Sequence, residues 1–226
     1  MSARDPRLLV RVWDLPTRAF HWLLVILVAL QYATGEFHVL DMRWHFWFGY
    51  ATLALLMFRV AWGFVGSQTS RFVEFVRGPR GVARYLRAQL STNPQTSIGH
   101  NPLGGWSVLA MLVSIAVQIG SGLFASDEID TDGPLAGLVS QRTVKWMTRL
   151  HGWNQNLLLV LIAAHVLAAL LYLLLRHDNL ILPLISGHKA LPERTAPLRF
   201  ASGWLALLLL LLCCAAVAAF ACWADR

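Results

Sequence analysis

The chain has 226 residues, 57% of them hydrophobic and 14% charged, with a mean hydropathy of +0.54 and a net charge of +7. That balance excludes an ordinary soluble domain and points to an all-α integral membrane protein. The three cysteines, Cys213, Cys214 and Cys222, all fall in the last apolar run and form no disulfide framework.

Five apolar runs are long enough, or nearly so, to cross a bilayer: residues 20–35, 44–65, 105–125, 151–175 and 200–223. The first has the length of a signal-peptide core, but no small-x-small cleavage site follows it. It therefore reads as a true helix, extended into the interface by Phe20, His21 and Trp22. Between the second and third runs, arginines interleave with Phe72, Phe75, Tyr85 and Leu86. This predicts short amphipathic pieces in the headgroup region, broken at Gly78–Pro79; a solvated basic linker is the other reading. The expected organisation is a four-span segment, residues 1–189, followed by an additional span within residues 190–226. No internal repeat is apparent.

Loop charge sets the orientation. Arg4, Arg7, Arg11 and Arg18 precede the first span. Arg71, Arg77, Arg80, Arg84 and Arg87 follow the second, and Arg176, Lys189, Arg194 and Arg199 follow the fourth. Together these are thirteen of the nineteen basic residues. The opposite side holds Arg43, Arg142, Lys145, Arg149 and Arg226, with the acidic residues Asp127, Glu128, Asp130 and Asp132. The positive-inside rule then predicts a cytoplasmic N-terminus and a periplasmic C-terminus. The positive charge is a topology signal and calls for no nucleic-acid partner.

Within that topology the histidines sort by depth. His45 and His151 fall near the outer face, and His21 and His165 near the inner one. His151 and His165 are fourteen residues apart, a rise of ~21 Å and within about 40° of four full turns, so they share one face at two depths. Ionisable groups in hydrocarbon are costly and usually functional. A structural zinc needs four ligands at one point, and a proton relay needs carboxylates that the spans almost entirely lack. Two haems, each with an axial histidine from opposing helices, need this arrangement. The chain has no C-x-x-C-H, so neither would be a covalent c-type haem.

Other residues carry two readings. Gly35, fourteen residues after His21, and Gly49, one turn from His45, give a porphyrin room against the helix backbone, or are ordinary helix-packing residues. Arg59, fourteen residues after His45, meets an inner haem propionate or snorkels to the headgroups. Arg43 and Arg149 hold outer propionates or anchor helix ends. His100 and Asn101, in "GHNPLGG", belong to a quinone pocket or to a plain capping loop. His38, His177 and His188 fit surface roles.

The segments "RVWDLPTRAFHW", "RWHFWFGYATLALLMFRVAWGFVG", "GHNPLGG" and "HGWNQNLLLVLIAAHV" together resemble the bacterial di-haem b-type cytochromes, over roughly residues 10–189. That group includes the cytochrome b subunits of nickel–iron hydrogenases and the bacterial cytochrome b561 proteins. The resemblance implies a four-helix bundle in the cell inner membrane with two haems b. By motif, their ligands would be His21, His45, His151 and His165. It further implies electron transport between a periplasmic redox partner, a c-type cytochrome or hydrogenase-like protein, and the quinone pool of a respiratory chain. The fifth span departs from the four-helix pattern. A haem-free membrane anchor or assembly subunit of a redox complex, and a histidine-lined transporter, are the rival expectations. A transporter would show carboxylates or broken helices at mid-membrane.

Overall fold

The computed structural model describes residues 7–89, 98–127, 131–192, 196–224 and 226; Arg4, Glu128, Asp130 and Arg194 lie outside these. In chain order the elements are β1 (Arg7–Arg11), α1 (Leu15–Gly35), α2 (Met42–Val65), α3 (Phe72–Phe75), α4 (Pro79–Gln89), α5 (Pro102–Gly122), α6 (Gln141–Arg176), α7 (Ile181–Ser186), β2 (His188–Pro192) and α8 (Gly203–Ala224). Helices α1, α2, α5, α6 and α8 are long and apolar enough to cross a membrane, which matches the five expected spans. Their many exposed apolar side chains, such as Val160 at 65% and Leu174 at 66%, suit a lipid solvent.

Helix ends follow local chemistry. Asp14 caps α1, its Oδ1 accepting from the Thr17 N–H at 2.8 Å, with Pro16 in the first turn where no amide is needed. Asn101 caps α5 in the same way, its Oδ1 accepting from the Gly104 N–H at 2.7 Å. Helix α6 starts ten residues before the expected span, after Ser140, whose hydroxyl accepts from the Thr143 N–H at 3.3 Å. Those ten residues are mostly polar and so fall outside any hydropathy run, yet they continue the helix. At 36 residues α6 is about 54 Å long, well beyond the ~30 Å of hydrocarbon it must cross. It stops where His177 takes a left-handed φ of 51°. The basic connection after α2 contains the two helical pieces α3 and α4, broken before Pro79 as expected.

The chain divides into two compact units. The first comprises Met1–Ala19, Val60–Leu109 and His165–Ala206. Strands β1 and β2 pair antiparallel in it, with Leu8 opposite Leu191 and Arg11 opposite His188. This short sheet was not expected: five-residue strands from distant segments leave no periodic signature. Val12, Trp13 and Leu191 form a small core beside it. Buried Asp14 also accepts from Trp62 Nε1 through Oδ2 at 3.1 Å. Thr17 and Ser70 share a hydroxyl hydrogen bond of 2.6 Å, and Thr69 Oγ1 donates to the Val12 carbonyl at 2.7 Å.

The second unit comprises Phe20–Arg59, Ala110–Ala164 and Leu207–Arg226. Polar clasps join its helices. Gln31 on α1 donates to Thr52 Oγ1 on α2 at 2.8 Å. Asn154 on α6 donates to the Ser114 carbonyl at 2.9 Å and to Gln118 Oε1 at 2.7 Å, both on α5. The added helix α8 meets α2 through Phe220 and Tyr50, whose ring centres lie 6.2 Å apart.

Candidate functional site

His45 rises from the first turn of α2 and His151 from α6, and both line a cavity of about 420 Å3 inside the second unit. That volume falls in the range of small-molecule and cofactor sites. The two imidazole ring centres are 6.3 Å apart, with the planes turned 71° from each other. Gly35, Gly49 and Gly122 line the same cavity.

Each imidazole is held from behind in the same manner. His45 Nδ1 lies 3.1 Å from the Gln31 carbonyl and 3.1 Å from Thr34 Oγ1. His151 Nδ1 lies 3.0 Å from the Gln118 carbonyl and 3.3 Å from Ser121 Oγ. A carbonyl only accepts, so Nδ1 must be the donor in both rings. That leaves the Nε2 lone pair of each neutral imidazole as its ligating atom. A Cβ placed on Gly35 would sit 3.0 Å from His45 Cε1, and one on Gly122 2.9 Å from His151 Cε1. The space at Gly35 is therefore taken up by the imidazole of His45. A Cβ on Gly49 would meet nothing within 4 Å, and the open volume there belongs to the cavity.

Gln31, Thr34, Gln118, Ser121 and Gly122 were not singled out from the sequence. Their signal is a repeated five-residue pattern, "QYATG" at 31–35 and "QIGSG" at 118–122. A reading that finds no internal repeat passes over it, because two short matches on separate helices carry no fixed period.

The donor set suits a haem. The His45 and His151 ring centres, 6.3 Å apart, leave room for an iron to be held between the two imidazoles. Among the described residues no group of three or more His, Cys, Asp or Glu converges as a free metal ion would need. A porphyrin supplies four nitrogens itself and asks the protein for two axial ligands.

The remaining expected site residues lie as follows. His21 sits on α1 in the second unit, edge-on to Trp22 at 5.1 Å between ring centres. His165 lies on α6 in the first unit. Arg59 is only 2% exposed, with its guanidinium carbon 6.0 Å from the Phe20 ring centre, which is not the posture of a side chain reaching for headgroups. His100 packs between the rings of Trp13, at 4.9 Å, and Phe75, at 4.7 Å. Besides capping α5, Asn101 donates to the Tyr172 hydroxyl at 3.1 Å, and that hydroxyl lies 2.6 Å from the one on Tyr85. Burial, then the Tyr172 hydrogen bond, push the Tyr85 hydroxyl well above the ordinary tyrosine range.

A family model described as prokaryotic cytochrome b561 matches residues 12–187, ending before the fifth span. A protein from Escherichia coli strain K12, called probable Ni/Fe-hydrogenase 1 B-type cytochrome subunit, is 24% identical over 79% of this chain and 90% of its own length. Its counterpart of the same name from Escherichia coli O157:H7 matches equally. No solved structure matches the chain significantly.

Proposed function

Since the chain belongs to the prokaryotic cytochrome b561 family, a family of b-type cytochromes built as membrane helical bundles for electron transfer, we propose that it holds two haems b. In this reading it carries electrons between a periplasmic redox protein and the quinone pool of the bacterial inner membrane. The observation that carries this is the facing pair of His45 and His151, 6.3 Å apart across a cavity, each with Nδ1 engaged.

In this reading His45 and His151 would hold the outer haem, and His21 and His165, by their depth along the spans, the inner one. Bound haem supplies an iron that takes up and releases one electron by cycling between its ferric and ferrous states. The protein's own contribution is positional and electrostatic. Each histidine pair would offer two imidazole nitrogens to its haem, which would leave no position for oxygen chemistry at the iron. Buried Arg59 supplies a fixed positive charge beside Phe20, suited to a propionate. His100 and Asn101 belong to the region proposed for quinone. The charge pattern puts the N-terminus in the cytoplasm and the C-terminus in the periplasm. A redox-enzyme subunit is the natural outer partner, since the Escherichia coli relatives bear the name of a hydrogenase cytochrome subunit.

The test is haem quantitation and a reduced-minus-oxidised spectrum of the purified chain. Two haems are expected in the wild type and one in His45→Ala or His151→Ala. His21→Ala or His165→Ala should remove the other. A chain purified without haem would instead be a membrane anchor, and two haems retained in both His45→Ala and His151→Ala would overturn the ligand assignment.

A further inference from the structure

The two cradles behind His45 and His151 share one plan although they come from different helices; the glutamine side chains differ, Gln31 donating through Nε2 and Gln118 accepting through Oε1. Each occupies the final turn of its helix, α1 or α5. In each, the glutamine main-chain oxygen accepts from the imidazole. In each, the glutamine side chain reaches the helix that bears the histidine, Gln31 to Thr52 on α2 and Gln118 to Asn154 on α6. In each, the hydroxyl three residues on donates to the carbonyl four residues back: Thr34 to Leu30 at 2.8 Å, Ser121 to Val117 at 2.7 Å. The glycine that follows removes the one Cβ that would strike the ring.

A hydroxyl has one proton. With that proton directed to a helix carbonyl, Thr34 and Ser121 can offer their imidazoles only lone pairs. Both hydroxyls therefore favour the Nδ1–H tautomer, and both draw on the same proton that the glutamine carbonyl accepts. An acceptor on the far nitrogen of a metal-bound imidazole fixes the ring's orientation and raises its basicity. A more basic axial ligand stabilises the ferric over the ferrous state.

We propose that Thr34 and Ser121 are a matched pair of positioning residues. The glutamine carbonyls fix the tautomer of His45 and His151; the two hydroxyls hold the rings in one orientation and would hold down the reduction potential of a haem bound between them. This rests on the haem reading above, so the experiment has one arm with haem and one without.

With haem, Thr34→Val, Ser121→Ala, the double variant and Thr34→Ser are compared by haem content, by redox titration and by the low-spin electron paramagnetic resonance spectrum. Both haems should remain. The potential of the haem that His45→Ala removes should rise in each single variant and further in the double, while the other haem keeps its potential. Thr34→Ser, which restores the hydroxyl, should match the wild type. An unmoved potential in the double variant, or a shift in Thr34→Ser as large as in Thr34→Val, overturns the proposal. Without haem, nuclear magnetic resonance spectra of the imidazoles should show Nδ1–H in both the wild type and the double variant, because the glutamine carbonyls remain, with the Nδ1–H signals of His45 and His151 shifted in the double variant and unshifted in Thr34→Ser. Identical Nδ1–H signals in the wild type and the double variant overturn the proposal even if the chain proves to bind no haem.

Discussion

Around Asp14, in the first unit, both carboxylate oxygens are used: one caps α1 and the other accepts from Trp62, with the Thr17–Ser70 and Thr69–Val12 hydrogen bonds nearby. Around His45 and His151, in the second unit, only one nitrogen of each ring is tied down, and the rings face a cavity. The buried groups are polar in both places, and the cost of burying them is met by hydrogen bonds in both. They differ in what is left over. The Asp14 cluster closes on itself, as a scaffold does. The histidine pair keeps one nitrogen of each ring out of the hydrogen-bond network beside a cavity, as a binding site does.

That contrast can be broken most sharply at the glycines. Gly35→Val or Gly122→Val puts atoms where the imidazole stands, and the expected outcome is loss of one of the two haems with the other retained, read from the haem-to-protein ratio. Retention of both would mean the cradle tolerates displacement and the contrast is false. Asp14→Ala should do the reverse, costing roughly 2–3 kcal/mol of stability, from a lost cap and an orphaned indole N–H, while folded protein keeps its full haem complement. Thermal unfolding in detergent alongside haem content checks this.

Smaller effects sharpen the boundary. Asn154→Leu removes the clasp to Ser114 and Gln118 and should cost about 1–2 kcal/mol by the same assay, with a modest change in the haem beside His151. Tyr85→Phe should cost least, about 1 kcal/mol, and should alter the alkaline limb of the stability curve. The Tyr85 pKa is raised on folding, first by burial and then by Tyr172. The unfolded chain therefore loses this proton first. The stability it contributes is present below the ordinary tyrosine pKa of about 10 and declines as pH rises beyond it. Tyr85→Phe should flatten that decline; an unchanged alkaline slope would show that the hydroxyl has no such linkage.

The spans were legible because hydrocarbon demands long unbroken apolar runs, and the nearness of the His45 and His151 rings is what their common depth, read from loop charge, leads one to expect. The first ten residues of α6 were not legible, since hydropathy marks where lipid begins and a helix can continue past it. Nor were β1 and β2, whose pairing depends on residues far apart in the chain. The cradle residues were hidden for another reason. Thr34 and Ser121 bond to their own helix, so in the sequence they look like the small polar residues common in any span. Only the third dimension shows that the same oxygen also meets an imidazole. Gly35 was noticed for its face of the helix, but the group it makes room for on α2 was invisible until the helices were packed.

The β1–β2 pairing has a consequence for biogenesis. Arg7–Arg11 leaves the ribosome well before His188–Pro192, which follows only after four hydrophobic segments have been synthesised. The leading strand must wait, unpartnered, until its mate arrives, because so distant a contact cannot form early. Its closure therefore cannot come before the first four apolar helices have been synthesised.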